Sequence, residues 1–494
     1  MNLESTRARR LSGVDAAFLY LERREIPLAI AGVFIFDRPI EFPAFVRRME
    51  DRLPLLPRYR QVVVPPPFNL GYPTWEEYTR FDILQHIHAH SLPAPGGTEE
   101  LSALAGRLFS QVMDRNKPLW EVHVVDGLSG GQGALIARVH HALADGIAGV
   151  SLLKIMFDTT PEGIRAIPKP PLRPAAPSAE PTLFDAMASA VHSSLQNMIA
   201  AEAALLDFGQ ALLTERMQTG LQGFLKLLPE WTRPVERLPF NKPCGGERKF
   251  CWTEIDFAGV QAIRDRLGGT VNEVVLTLVT RAIALYTRRH RQPVKGRFVR
   301  IVCPVSVREE SQQGALGNQI TFLPVVLPLD VADCAELLQA VTTRTEIMKS
   351  VRVAELVAIA GAWIGAAPPP VQALFWEGIP RVPLPVPLFN LICTNVPGST
   401  TPLYALGRRM VASYPQVPTG YELGIGVAVQ SYDGKLFFGL TADANVAPDV
   451  TRMRDFIQAA FRDLCRASGI RKRRRESATK RANPPAFSLA GSAD

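Results

Sequence analysis

A mixed α/β fold arranged as two lobes joined by a linker follows from three features of the sequence. Short apolar runs with strand character alternate with stretches of helical apolar spacing throughout the chain. A proline-crowded break from Asp158 to Thr182 divides it. After the break the same mixture resumes, behind a helical stretch rich in Ala, Leu, Met and Gln. A chain of 494 residues suits a few domains of ordinary size, each able to bury a core without disulfide staples.

In chain order, Val33–Phe36, Trp120–Val125 and Ala134–His141 read as strands, and Pro43–Arg52 and Leu101–Met113 as helices. Leu183–Leu228 reads as one long or two shorter helices, ended by Pro229, Pro234, Pro239 and Pro243. Strands are then expected at Phe250–Phe257, Arg300–Pro304, Phe322–Leu327, Leu391–Thr394, Ile425–Gln430 and Lys435–Leu440. Helices are expected at Val271–Tyr286, Cys334–Ser350 and Val450–Ala467. The resulting division is a first lobe over 1–157, a linker with connecting helices over 158–240, a second lobe over 241–470 and a basic tail over 471–494.

Composition excludes several classes. With 47% hydrophobic and 21% charged residues, the whole chain is not disordered. The six cysteines all fall in the second half and none forms a Cys-x-x-Cys pair, which fits neither a zinc ribbon nor a secreted disulfide framework. Arg7, Arg9 and Arg10 are followed by Asp15, Glu22 and Arg23 rather than by an apolar core, so no signal peptide is read. The uncharged run Leu356–Trp376 is broken by Pro368-Pro369-Pro370, short of the roughly 20 helical residues a bilayer requires. Membrane association is therefore expected to be peripheral, with the cytoplasm as the compartment. The net charge of +8 is concentrated in the tail, a candidate tether to anionic lipid or simply a solvated end. No interleaved basic and aromatic patch points to nucleic acid.

The strongest chemical signal is His140-His141-Ala142-Leu143-Ala144-Asp145-Gly146, at the end of a strand and before helical spacing. Strand alternation puts His141 on the face of Leu135, Ala137 and Val139, and His140 on that of Ile136 and Arg138. An imidazole at a strand end in an apolar cleft can take a proton from a hydroxyl or thiol near neutral pH. A metal site, or a pair of satisfied core histidines, is an alternative reading of the same cluster. Asp145 can cap the following helix, pair with an arginine or orient an imidazole, and a structural role is favoured.

This stretch is similar to the HHxxxDG motif of CoA-dependent acyltransferases. The surrounding sequence resembles the bacterial wax ester synthase/diacylglycerol acyltransferase family. The resemblance rests on Leu11-Ser12-Gly13-Val14-Asp15-Ala16-Ala17-Phe18-Leu19, Pro118-Leu119-Trp120-Glu121, Asn272-Glu273-Val274-Val275-Leu276 and Pro304-Val305-Ser306-Val307-Arg308. Gly317-Asn318-Gln319, Thr394-Asn395-Val396-Pro397-Gly398 and Ser431-Tyr432-Asp433-Gly434 complete it. Two departures stand out, Glu273 where the family usually has Asp and Thr394 where it usually has Ser.

The resemblance implies two chloramphenicol-acetyltransferase-like lobes with an active-site tunnel between them. It implies His141 as general base, His140 in support, Asp145 as orienting residue and Gly146 as the motif turn. Asn272 becomes a candidate oxyanion donor from the opposite lobe, or alternatively the cap of its own helix. The substrates implied are an acyl-CoA, as co-substrate with no other cofactor, and diacylglycerol or a long-chain alcohol, met at an inner-membrane or lipid-droplet surface. Catalytically weak lipid binding and carrier-protein-dependent condensation are the competing readings.

Two weaker signals are set aside. Gly127-Leu128-Ser129-Gly130-Gly131 matches an esterase elbow but joins two strand patterns, so it reads as a turn. His86, His88 and His90 alternate as a metal face would, but lack a clear fourth ligand and read as a solvated strand. No dinucleotide or phosphate-loop fingerprint is present.

Overall fold

The computed structural model describes residues 10–143, 152–153, 155–163, 183–211, 214–306, 320–365, 367–382 and 385–469. Asp145, Gly146, most of the proline-rich linker, the Gly317-Asn318-Gln319 element and the basic tail lie outside the described residues.

The first lobe begins with helix α1 (Gly13–Leu21), capped by Ser12, whose Oγ accepts the Asp15 N–H at 3.1 Å. Strand β1 (Ala29–Phe36) pairs antiparallel with β6 (Gly133–His140), which pairs antiparallel with β5 (Trp120–Asp126). Strand β4 (Ile87–Ser91) runs parallel to β5 and forms one edge. Helices α2 (Phe42–Arg52) and α3 (Thr98–Phe109) cover this sheet, and a small hairpin of β2 (Gln61–Val64) and β3 (Thr74–Glu77) stands beside it. Every residue of β6 is buried.

Two connecting helices follow, α4 (Leu183–Ala211) and α5 (Glu215–Trp231). Pro229 does not end the second of these, as expected, but lies inside its last turn. There its missing N–H removes a single hydrogen bond just before the helix stops at Thr232.

The second lobe is a six-stranded sheet in the order β7-β14-β13-β10-β8-β9. Its strands are β7 (Arg248–Asp256), β8 (Phe298–Ser306), β9 (Ile320–Pro328), β10 (Leu391–Val396), β13 (Ile425–Tyr432) and β14 (Lys435–Asp443). Helices α6 (Phe257–Leu267), α7 (Val271–Arg289), α8 (Cys334–Ser350) and α11 (Val450–Ala467) pack around it, α7 and α11 against each other. A helical pair follows within this lobe's sequence, α9 (Val353–Gly365) packing on α4 and β9, and α10 (Pro369–Gly378) packing on α1 of the first lobe.

One segment departs from the division expected at residue 241. Strands β11 (Tyr404–Ala405) and β12 (Arg408–Gln416) leave the second lobe and complete the first lobe's sheet, whose order is β11-β12-β1-β6-β5-β4. Several of the recognised second-half residues serve this crossover. The Tyr432 hydroxyl donates to the Met410 carbonyl on β12 at 2.9 Å and accepts the Leu403 N–H. Asp433, in the turn between β13 and β14, binds Arg409 at 2.7 Å. Gly439 on β14 lies so close to the Pro415 carbonyl that a Cβ there would sit 1.8 Å from its oxygen.

The seam is tied further by Arg248, buried, which binds Asp443 at 2.7 Å and donates to the carbonyls of Glu25 and Thr419. With both charges matched and the remaining donors satisfied, the buried pair escapes the penalty of an orphaned ion.

Candidate active site

The two histidines stand where β6 ends, and they are held in different ways. The His140 N–H donates to the Leu119 carbonyl and the His141 N–H to the Leu28 carbonyl, so the last residues of β6 stay in register between their neighbours. The chain then turns, the Leu143 N–H closing on the His140 carbonyl at 2.9 Å. His141 is thus the first residue beyond the strand.

His140 is fully buried and faces the polar interior. Its Nδ1 accepts the Ala142 N–H at 3.0 Å, which leaves the proton of the neutral ring on Nε2. That nitrogen lies 3.3 Å from Glu22 Oε2, close but not aligned as a hydrogen bond. Glu22 follows α1 and is itself buried; its Oε1 accepts the Leu28 N–H at 3.0 Å and its Oε2 meets Arg115 at 3.3 Å. Burial alone would raise the Glu22 pKa, but His140, the Leu28 N–H and Arg115 outweigh it and hold the carboxyl below its usual range. His140 therefore acts as a brace that fixes the turn carrying its neighbour.

His141 presents the opposite picture. Its ring stacks on Phe18 of α1, centroids 3.8 Å apart and planes 16° from parallel. Nδ1 is buried and makes no hydrogen bond with another residue. Burial pushes its pKa down to about 4, opposed by the residue's own backbone and assisted by His140. At neutral pH the ring is neutral, and the residue is partly buried rather than sealed. A neutral, oriented imidazole of this kind can accept a proton from a reactant.

The recognised elements of the first lobe build this arrangement. The segment opening at Leu11 forms α1, which lays Phe18 on His141 and delivers Glu22 to His140. In the Pro118–Glu121 element, Leu119 holds the His140 N–H and Glu121 binds Arg138 at 2.9 Å. Between them Trp120, fully buried, donates from Nε1 to the Tyr59 carbonyl at 2.8 Å. Glu22 and Arg115 were given no site role from sequence, and Phe18 stood only as part of the Leu11–Leu19 element. Glu22 carried no distinguishing signal, since it opens the charged run Glu22-Arg23-Arg24-Glu25.

On the second lobe, Asn272 is the second residue of α7 and is not its cap. Thr270 caps the helix and forms a capping box with Glu273. Glu273 is buried and also accepts from Thr345 at 2.7 Å and from Lys349 at 3.1 Å. The departure from Asp is thus a structural acid reaching across to α8. The Asn272 side chain is half-buried and makes no hydrogen bond among the described residues.

The other histidines are not a solvated strand face. His86 precedes β4, in a turn where strand alternation does not apply. It is fully buried, stacked on Phe81 and Trp120, with Nδ1 2.9 Å from the Trp120 carbonyl. His88 and His90 share a face and meet His123 of β5, the His90 Nε2 lying 3.0 Å from the His123 Nδ1. Among the described residues no group of His, Cys, Asp or Glu is arranged to hold a metal ion. Ser129 lies in a glycine-rich turn between β5 and β6, with Gly130 and Gly131 at positive φ, and not in a strand-to-helix elbow.

A two-lobed α/β protein whose first sheet is completed by a strand from the second lobe, with a braced histidine pair at its end, defines an acyltransferase-like class. Residues 11–275 match the wax ester synthase/diacylglycerol acyltransferase catalytic domain and residues 316–465 the C-terminal domain of the same family. The chain belongs to that family.

It is 28% identical over 470 residues to a putative diacylglycerol O-acyltransferase of Mycobacterium tuberculosis, covering 93% of this chain and 90% of the relative. It is 29% identical over 472 residues to another of Mycobacterium bovis, covering 92% and 98%. Its fold is similar to that of the wax ester synthase/diacylglycerol acyltransferase from Marinobacter aquaeolei VT8, with a TM-score of 0.65 and 23% identity over 93% of this chain and 100% of that one. The starter condensation domain of rhizomide synthetase shares the fold at a TM-score of 0.56 and 15% identity, covering 94% and 96%.

Proposed function

We propose that the protein transfers a fatty acyl group from acyl-CoA to the hydroxyl of diacylglycerol, a long-chain alcohol or both. The observation that carries this reading is His141, neutral at physiological pH, stacked on Phe18 and secured by the His140–Glu22 brace. Since Nδ1 is buried, the acceptor proton goes to Nε2. The alkoxide oxygen forms a bond to the thioester carbonyl carbon, and the tetrahedral intermediate collapses with cleavage of the carbon–sulfur bond. The departing thiolate takes the proton back from His141, so no acyl-enzyme forms. Asn272, not engaged as a cap, is available to donate to the oxyanion. Asp145 and Gly146 are assigned the orienting and turn roles that the motif implies. No cofactor beyond the acyl-CoA substrate is required by this chemistry.

The acceptors are insoluble in water, so the reaction belongs at a lipid surface, on the cytoplasmic face of the membrane or on droplets. The net positive charge supports this placement. Among the described residues no single helix is long and apolar enough to cross a membrane.

One labelled acyl-CoA, offered with a panel of diacylglycerols, long-chain alcohols and water-soluble short alcohols, tests the reading. Labelled ester and an equivalent of free CoA are expected. Transfer from an acylated carrier protein with none from acyl-CoA would overturn it.

A further inference from the structure

Helix α1 is the support on which the His141 ring rests, and the second half of the chain grips it. With only nine residues, α1 is too short to hold its place by its own hydrogen bonds, so its position is set by what it touches. On one side it lays Phe18 on the His141 ring. At 3.6 residues per turn, Gly13 lies about 140° round the helix from Phe18. That far side meets α10, which packs on α1, so the helix stands between α10 and the base.

The two ends of α1 are tied to α10 separately. At its start, Gln372 of α10 is buried and donates from Nε2 to the Tyr72 hydroxyl and to the Ala367 carbonyl, each at 2.6 Å. Tyr72 belongs to the first lobe and is itself buried. Gly13 seats directly against this pair: a Cβ there would lie 2.9 Å from the Tyr72 hydroxyl oxygen and 3.2 Å from Gln372 Oε1. Beyond the other end, the Arg23 Nη2 donates to the Glu377 carbonyl of α10 at 3.0 Å.

Gln372 is the buried polar link in this set of contacts. Its donation to Ala367 serves the bend between α9 and α10, which the bend alone would explain. Its donation to Tyr72 crosses from one half of the chain to the other at the point where α1 begins. A buried amide and hydroxyl that satisfy each other hold a seam in one arrangement, because parting them leaves both unpaired.

We propose that Gln372 is a positioning residue for the base: through Tyr72 and the Gly13 end of α1 it sets how Phe18 lies on the His141 ring. The inference rests on His141 being the base of the proposed acyl transfer, and names a residue of the second half that acts on it without touching a substrate. A displaced Phe18 admits water to the imidazole, which then keeps its proton to a higher pH. Among the described residues, His140 of β6 is the titratable group whose charge bears on the ring. Replacing Gln372, Tyr72 or Phe18 by an apolar residue leaves that neighbour in place, so a moved titration reports a moved ring environment.

The test uses the full chain isotopically labelled at histidine Cε1, with the His141 resonance assigned by His141→Ala. Gln372→Met keeps the volume and removes both donations. Tyr72→Phe removes only the partner oxygen, and Phe18→Leu removes the flat ring. In the parent, His141 should titrate near 4. Gln372→Met and Tyr72→Phe should each raise that midpoint by about 1 pH unit or more, and lower kcat about 10-fold with the KM for acyl-CoA little changed. The double variant should show the larger of the two effects rather than their sum, since both cut one link. Phe18→Leu should raise the midpoint at least as far. Asp333→Ala, which uncaps α8, should lower the melting temperature while leaving midpoint and kcat alone.

Parent-like midpoint and kcat in Gln372→Met and Tyr72→Phe, with earlier melting, overturn the inference and leave Gln372 as a fixture of the bend. So does an unmoved midpoint in Phe18→Leu, or a parent midpoint already at 6.5. Should Gln372→Met not fold, Tyr72→Phe decides alone. Absence of ester formation by the parent would instead sink the acyl-transfer reading, with the titration still deciding whether Gln372 positions the ring.

Discussion

The two lobes have the same layered construction but treat titratable groups differently. The first lobe holds six of the eight histidines, and His86, His123 and His140 are buried in it. In the second lobe the buried ions are structural: Glu273 closes a capping box and Arg248 is matched by Asp443. Its one histidine, His290, is exposed beside Asp449. Burying an imidazole costs stability in acid, and the first lobe accepts that cost around the residues proposed to react. Perturbed groups of this kind cluster where chemistry is done. The second lobe supplies the crossover strand and, in the proposed reaction, Asn272.

Acid should separate the lobes most strongly. Burial depresses His86 and His123 to about 4 each, from an unfolded value near 6.5. Between those values the unfolded chain holds more protons, so stability is complete above pH 6.5 and is lost as pH falls toward 4. Each shift corresponds to about 3 kcal/mol. Glu22 and Glu273 are held below the usual carboxylate range, and their contributions are lost only at lower pH. Hydrogen exchange followed from pH 7 to 4 should therefore show β4 and β5 losing protection before β8 and β10. Earlier loss in the second lobe would break the contrast.

His141→Ala comes next, with turnover expected to fall about 100-fold to 10,000-fold in a protein whose circular dichroism is unchanged. In the parent, kcat/KM should hold level from pH 8 to 6 and decline toward pH 4, because the reactive form is the neutral ring. A decline centred near 6.5 would mean that burial does not set the protonation of this base.

Asn272→Ala probes the other lobe. If its amide donates to the oxyanion, kcat should drop about 100-fold to 1,000-fold, with melting unaffected because Thr270 supplies the cap. Parent-like kcat would confine the reaction's polar contacts to the first lobe and the substrates.

Periodicity made the regular parts of both lobes legible. Cys334–Ser350 and Val450–Ala467 form helices over the expected residues, and the long strands differ at most by a few residues at their ends. The crossover was not legible, because the pairing of Ala31 with Gln416 joins residues far apart in the chain and neither strand carries a local mark of its partner. The site divides in the same way. The histidine pair was readable as a local motif at a strand end. Its brace was not, since Glu22 and Arg115 come from separate segments and their shared burial exists only after folding. His86 was misread because alternation was extended one residue past the start of β4.

The smallest effect is expected at Thr270, and it sharpens the role of Asn272. Thr270→Ala removes the hydroxyl that accepts the Glu273 N–H at 3.4 Å. Loss of such a cap costs about 1 kcal/mol, a drop of roughly 2–4 °C in the melting temperature of a lobe this size. Glu273 keeps its bonds to Thr345, to Lys349 and to the backbone N–H of residue 270, so the start of α7 stays in place. Turnover at saturating substrate should then match the parent even though the variant melts earlier. If instead turnover falls as far as in Asn272→Ala, the reaction depends on the position of the helix start as a whole, and Asn272 acts by holding that backbone rather than by donating to the oxyanion.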